Sequence, residues 1–211
     1  AGELVRAGRI GRVIQTLGLG PHRESDKGHL LGGAGRPDWF YDRSRSGGII
    51  ADIASHQIDQ FLWFTGSTSG EIVASTAANY THPDTPRMQD FGEVLLRSEG
   101  AHGYVRVDWY TPKGLPTWGD GRLIILGTEG YLELRKYVDL AGRQGRDHLF
   151  VADGQGIEYI DCSDVALSSY PDLVHDVRHR TETACPQEHT FEVMRLALVA
   201  QEQATLRGDA R

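Results

Sequence analysis

The sequence predicts an α+β fold, an open and mostly antiparallel β-sheet with helices packed on one face. Three observations carry that expectation. Between Glu71 and Asp161 the apolar residues follow a period of two, broken at intervals by short turn-forming pieces. Helical three- and four-residue spacing precedes this block at Ile49 to Thr65 and returns near the C-terminus. Glycine makes up 26 of 211 residues, about 12% against a usual share of about 7%, which signals many tight turns between short strands. Strands in a block with helices on either side describe a layered α+β domain.

In chain order, residues 2–7 read as the end of a helix stopped by Gly8, and Arg12 to Leu19 as a strand. Residues 20–47 are polar and glycine-rich, with Pro37 and two exposed aromatics, Trp39 and Phe40. A loop of that length in a compact domain is usually functional or mobile. Ile50, Ile53, Ala54, Ile58, Phe61 and Leu62 then recur at helical spacing between Gly47-Gly48 and Gly66, so their face is core. Asp52, Ser55, His56 and Asp59 lie on the other side, and Trp63 continues their row.

Strands are expected around 71–80, 90–97, 102–110, 122–126, 130–136, 148–152 and 157–161. In the third of these Val105, Val107 and Trp109 share one face, and Tyr104, Arg106, Asp108 and Tyr110 the other. Ser98-Glu99-Gly100, Gly127-Thr128-Glu129-Gly130 and Asp153-Gly154-Gln155-Gly156 suit hairpin connections. Two helices close the chain, Pro171 to Arg180 and Glu188 to Leu206, the second with Phe191, Met194, Ala197, Leu198 and Ala204 on one stripe. Apolar residues on both sides of the strands leave the second sheet face in need of a cover. Another copy of the chain, in a homodimer or homotetramer, is the expected one.

Composition excludes several classes. A formal net charge of −7 with scattered Lys and Arg offers no basic patch for nucleic acid. No apolar run reaches the roughly 18–20 residues that span a bilayer, and the N-terminus lacks the order of a signal peptide, so the expected location is cytoplasmic. Cys162 and Cys185 are too few for a disulfide framework or a zinc ribbon.

The strongest local feature is Gly47-Gly48-Ile49-Ile50-Ala51-Asp52-Ile53-Ala54-Ser55-His56. Asp52 and His56 stand four residues apart on one helix face, where a carboxylate can fix the tautomer of an imidazole and raise its basicity. The paired glycines would let a ligand or another backbone approach the helix start. An ordinary ion pair on a solvated helix is the competing account. His175 and His179 form a second such pair, but no glutamate follows the first as in H-E-x-x-H and no third metal ligand can be chosen. Trp39, Trp118, Arg122, Lys136 and Tyr137 could line a carbohydrate site, or could be sheet core and interface. No G-x-S-x-G elbow occurs, and no carboxylate pair can be assigned to glycoside hydrolysis. A dinucleotide fingerprint is also missing, since Gly18-Leu19-Gly20-Pro21-His22-Arg23 has Arg in place of the third glycine and Pro where a helix should open.

The stretch Trp39 to Gly66, with Ser46-Gly47-Gly48, Asp52-x-x-x-His56, Ile58-Asp59 and Leu62-Trp63, resembles the C-terminal domain of the glucose-fructose oxidoreductase, inositol dehydrogenase and MocA (Gfo/Idh/MocA) family. Gly2 to Val13 is similar to the helix-to-strand junction that follows the family's nucleotide domain. Leu123 to Glu133 is similar to its sheet hairpin, and Tyr170 to Arg178 to its penultimate helix.

The resemblance implies an NAD(P)-dependent oxidoreductase of a sugar, an inositol or a similar polyol. In that family a Rossmann domain holds the NAD or NADP, and the C-terminal domain supplies substrate site and oligomer interface. By motif His56 would be the general acid/base, and Asp52 would orient it or bind a substrate hydroxyl. Trp39, Trp118, Arg122 and Lys136 are the candidate substrate-binding residues. The Rossmann glycines and the family's catalytic lysine would belong before residue 1, so residues 1–211 are expected to be one substrate-binding and oligomerisation domain of a longer enzyme. Such a chain should bind no nucleotide tightly and be inactive alone. The alternative is a ligand-binding or assembly module that keeps the fold without the chemistry, and a metal-dependent hydrolase or isomerase using the histidines is a third possibility.

Overall fold

A computed structural model describes residues 1–23 and 36–207, so part of the expected 20–47 loop lies outside the described residues. Among the described residues nine strands form one sheet: β1 (Val13–Pro21), β2 (Glu71–Ala78), β3 (Phe91–Arg97), β4 (His102–Asp108), β5 (Arg122–Gly127), β6 (Gly130–Arg135), β7 (His148–Asp153), β8 (Gly156–Asp161) and β9 (Thr205–Arg207). Their order is β8-β7-β6-β5-β1-β4-β3-β2-β9. Consecutive hairpins make most of it antiparallel. The exceptions are β1 against β4 and β2 against β9, which run parallel. The α+β class and the open, mostly antiparallel sheet are therefore as the sequence predicts.

The helices are α1 (Gly2–Arg6), α2 (Arg43–Ser46), α3 (Ser55–Thr65), α4 (Ser169–His179) and α5 (Gln187–Gln203). Among the described residues no helix is long and apolar enough to cross a membrane. Three local expectations change. The helix expected over Ile49 to Thr65 opens with a wide π-helical segment, Ile50–Ala54, before α3 begins. The last helix stops at Gln203, because the chain turns extended at Ala204 and Thr205–Arg207 pairs with the edge of β2. Phe40 is buried, as its ring packs edge-on against Tyr41 and Trp109 at 5.4 and 5.5 Å.

One core lies where α3, the π-helical segment and α5 cover β2, β3 and β4, with Ile58, Phe61, Leu96, Val105 and Leu196 removed from solvent. A second, under α1, gathers Ile10, Leu123, Ile125, Leu132 and Val151. At about 25 cal/mol per Å² of apolar surface, such burial is the main force holding helices to sheet. The helix layer comes close to β1 because that strand carries glycine at its helix-facing positions. A Cβ on Gly18 or Gly20 would stand 2.9 or 2.8 Å from the Gln57 side chain. On the opposite face Leu95, Leu126 and Tyr131 are exposed.

Candidate functional site

Strands β1 and β4 run parallel side by side, so their carboxyl ends deliver the residues that follow them to one edge of the sheet. Ligand sites of open α/β sheets collect at such ends. His22 follows β1 and Trp109 follows β4. The backbone fixes His22 firmly: its N–H donates to the Asp108 carbonyl at 2.7 Å, and its own carbonyl accepts from Thr111 N–H at 3.0 Å. The next N–H, of Arg23, donates to the Trp118 carbonyl at 2.6 Å. The His22 ring then packs edge-on to Trp118 at 4.4 Å and tilted to Trp109 at 5.8 Å.

His22 Nδ1 lies 3.0 Å from the Gly20 carbonyl oxygen. A carbonyl can only accept, so Nδ1 carries the proton and Nε2 presents its lone pair. Burial pushes this imidazole below the ordinary histidine value, and the charge of His56 adds to that. The Gly20 carbonyl, Asp52 and Asp108 pull the other way without overcoming it. A tautomerically defined imidazole thus packs against Trp109, the ring beside which Asp52 lies.

Asp52 sits in the π-helical segment and His56 in the first turn of α3, both exposed. Among the described residues neither side chain has a hydrogen-bond partner, and they do not bond to each other. Asp52 lies in a segment wound with the wider i→i+5 spacing, whereas stacking of side chains four apart belongs to the α-helical register. Asp52 lines a narrow crevice of about 10 Å³ with Phe40, Met88, Gln89 and Trp109.

The paired glycines have a different use from the one expected. Gly47 and Gly48 both take φ +86°, and a Cβ on Gly48 would meet the side-chain oxygens of Gln89 and Gln201 at 2.5 Å. Those glutamines accept from Ile49 N–H at 3.2 Å and Ile50 N–H at 3.0 Å. Protein side chains, not a ligand, occupy the approach to the helix start. Asp59, in the same predicted row as His56, is bonded to His189 Nε2 of α5 at 2.6 Å.

The remaining sequence-derived candidates separate. Trp39 is exposed on the 3-10 turn that buries its neighbour Phe40 in the cleft. Trp118 is half exposed and packs edge-on against His22. Arg122 is opposite Leu19 in the β1–β5 ladder and pairs with Asp120 at 2.7 Å. Since Leu123 belongs to the helix-side core, Arg122 projects from the other face of the sheet, away from Asp52. Lys136 follows β6, exposed, with Nζ 5.3 Å from the Tyr137 ring centre, on the rim near Gly121. His175 and His179 stack at 4.4 Å on α4, and among the described residues no group of three His, Cys, Asp or Glu is arranged to hold a metal ion.

Sequence reasoning missed His22, Trp109 and Arg36. The guanidinium of Arg36 lies 4.1 Å from the ring centre of Phe40 and 4.9 Å from that of Trp109. The available signal was the end of a predicted strand carrying Gly-x-Gly, but its neighbour across the sheet could not be read from one chain. The same segment does not fit a dinucleotide. Gly18 is paired on both sides within the sheet and Gly20 with β4, and the N–H groups of His22 and Arg23 are already given to carbonyls. A pyrophosphate needs free N–H groups at a strand-to-helix turn.

Residues 1–133 match the model of the GFO/IDH/MocA C-terminal domain. A protein from Erwinia carotovora atroseptica SCRI1043, assigned as an oxidoreductase, is 48% identical and superposes with a TM-score of 0.90 over 97% of this chain and 60% of its own. The fold also matches the KijD10 3-ketoreductase of Actinomadura kijaniata, solved with NADP and TDP-benzene, at 16% identity and TM-score 0.67 over 98% of this chain and 58% of that one. An aldose-aldose oxidoreductase of Caulobacter crescentus, solved with glycerol, matches at 18% identity and TM-score 0.68 over 96% and 56%. No curated protein matches. The chain thus spans 60% or less of the length of these solved relatives. With most of its length matched by the family model, and a solved relative 48% identical over 97% of it, the chain belongs to the Gfo/Idh/MocA oxidoreductase family, as its C-terminal domain.

Proposed function

We propose that residues 1–211 are the substrate-binding and assembly domain of an NAD(P)-dependent oxidoreductase acting on a sugar, an inositol or a related polyol. The observation that carries this reading is the packing of His22 against Trp109 and Trp118 beyond the carboxyl ends of β1 and β4, with Asp52 lining a crevice beside the same Trp109 ring. Hydroxyl-rich ligands are held by such sets, in which aromatic faces meet C–H groups and carboxylates and imidazoles meet hydroxyls. Exposed on α3, His56 is the general acid/base that takes the hydroxyl proton of the carbon being oxidised. Asp52, not bonded to His56, accepts from a neighbouring hydroxyl. His22 Nε2 accepts from another and so sets the orientation of the ring. A nicotinamide nucleotide supplies the hydride chemistry when bound, and its site is assigned to a part of the parent outside this chain.

The names of two fold relatives, a 3-ketoreductase and an aldose-aldose oxidoreductase, favour the carbohydrate class by analogy of fold. The exposed apolar sheet face favours assembly with a second copy, as a homodimer or homotetramer. The test is turnover of a polyol panel by the parent enzyme with NAD or NADP. His56→Ala is expected to lower kcat by about 10²–10⁴-fold, the usual contribution of a positioned acid/base. An unchanged kcat with intact polyol binding would instead mark a binding module without this chemistry.

A further inference from the structure

Helix α4 turns its apolar side to solvent. Tyr170, Leu173, Val174 and Val177 stand at i, i+3, i+4 and i+7, one stripe of the helix, and are 80, 53, 50 and 68% exposed. Among the described residues of α4 only Asp176 is buried. It lies off that stripe, where it accepts from Thr181, Thr183 and Ala184 and so fixes which side the helix shows outward. His175 and His179 stack off the stripe as well. Helix α5, by contrast, buries Val193, Leu196, Ala197 and Ala200. A helix of 11 residues is marginal in water by itself and draws its stability from a packed apolar face. Within this chain α4 has the apolar face but not the packing.

We propose that the apolar stripe of α4 is the docking surface for the nucleotide-binding part of the parent enzyme, the part that precedes Ala1. This rests on the reading of residues 1–211 as the C-terminal domain of a longer oxidoreductase. The chain covers 60% of its 48% identical relative, which leaves a substantial part of such a parent to be seated against this domain. Residue 1 lies on the side that the docking requires. Ala1 packs on the same core as Cys162, and from Cys162 the chain runs through exposed Val165 and Leu167 into α4. Exposed apolar residues thus lead from beside residue 1 to the stripe. A second copy fits less well, since a stable dimer buries about 800 Å² on each partner from roughly 20–30 residues, and the stripe offers four apolar side chains. A covalent tether supplies an effective concentration on the order of millimolar, at which a small apolar contact suffices.

The experiment is hydrogen exchange read by mass spectrometry on the parent enzyme and on residues 1–211 alone. Amides of Leu173 to His179 are expected to exchange about 10- to 100-fold more slowly in the parent, while those of Leu196 to Ala200 in α5 exchange alike in both. Val174→Glu with Val177→Glu should remove the added protection in the parent and leave the unfolding midpoint of the isolated chain unchanged, because both side chains are exposed there. Exchange of α4 as fast in the parent as in the isolated chain would overturn the proposal. So would protection that appears in the isolated chain with rising concentration, since a second copy would then be the occupant. The comparison of parent with chain needs neither ligand nor variant, so it decides the matter even if the Glu variants fail to fold. Protected α4 in a parent that turns over no polyol would uphold the docking surface and overturn the substrate class. Turnover by a parent with unprotected α4 would do the reverse.

Discussion

His22 and Trp118 meet edge to face with their ring centroids 4.4 Å apart, and the carbonyl of Trp118 is itself bonded to the residue after His22. The loop after β4 thus holds the imidazole by side chain and by backbone together. That rigidity lets His22 keep one tautomer, and it carries an energetic consequence at acid pH.

Because burial lowers the His22 value below the ordinary 6.5, the unfolded chain binds a proton there before the folded chain does. Stability contributed by neutral His22 is present above about pH 6.5 and declines as the pH falls below it. Urea unfolding between pH 8 and pH 5 should show the midpoint falling with pH, and His22→Gln should flatten that slope. An identical slope in the variant would remove His22 as its source.

Gly18 faces the Cβ and Cγ of Gln57, the neighbour of His56, with no room for a Cβ of its own. Gly18→Ala should destabilise the fold by about 1–3 kcal/mol, the usual cost of overpacking, and displace the start of α3. Gln57→Ala should relieve it, so the double variant should be more stable than the sum of the single losses predicts. Strict additivity in denaturant melts would contradict this contact.

Asp176, buried near the end of α4, accepts from Thr181 Oγ1, Thr183 N–H and Oγ1, and Ala184 N–H at 2.6–2.8 Å. Burial alone would raise its carboxyl, but these four donors prevail and hold it well below the usual carboxylate range. The stability it lends is therefore present above the ordinary carboxylate value and lost only in strong acid. Asp176→Ala should speed hydrogen exchange at Thr183 and Ala184 and lower the unfolding midpoint, whereas Asp176→Asn should do so less. Unchanged exchange would show that the turn holds without this carboxylate.

On the open sheet face Leu126 and Tyr131 form a cross-strand pair of exposed apolar residues. If this face joins two copies, Leu126→Glu with Tyr131→Lys should convert the assembly to monomers in light scattering, without loss of the circular dichroism signal. A wild-type chain that is monomeric at high concentration would remove the interface.

Much of the fold is legible along the chain because local periodicity reports burial. The alternation through Tyr104 to Tyr110 put Val105, Val107 and Trp109 on the core face, where they are buried, and the helical spacing of Ile50 to Leu62 marked the face that packs on the sheet. The same reasoning failed at Phe40, whose polar surroundings concealed a partner 69 residues away in Trp109, and at β9, which exists only because the edge of β2 is open to it. The face that Arg122 takes, opposite to Leu123 and the helices, likewise follows from its register with Leu19 and not from its own neighbours in the chain.

By itself, then, the sequence determined the fold class, the order of its elements and the Asp52-x-x-x-His56 motif, since each rests on neighbours within a few positions of the chain. The tertiary structure decided which side chains share the cleft. Pairing β1 parallel to β4 brought His22 to Trp109 and Trp118, and the segment that carries Asp52 winds as a π-helix before α3 carries His56. Contacts between distant segments depend on strand order and register, which hydrogen bonding across the sheet settles and no local pattern encodes.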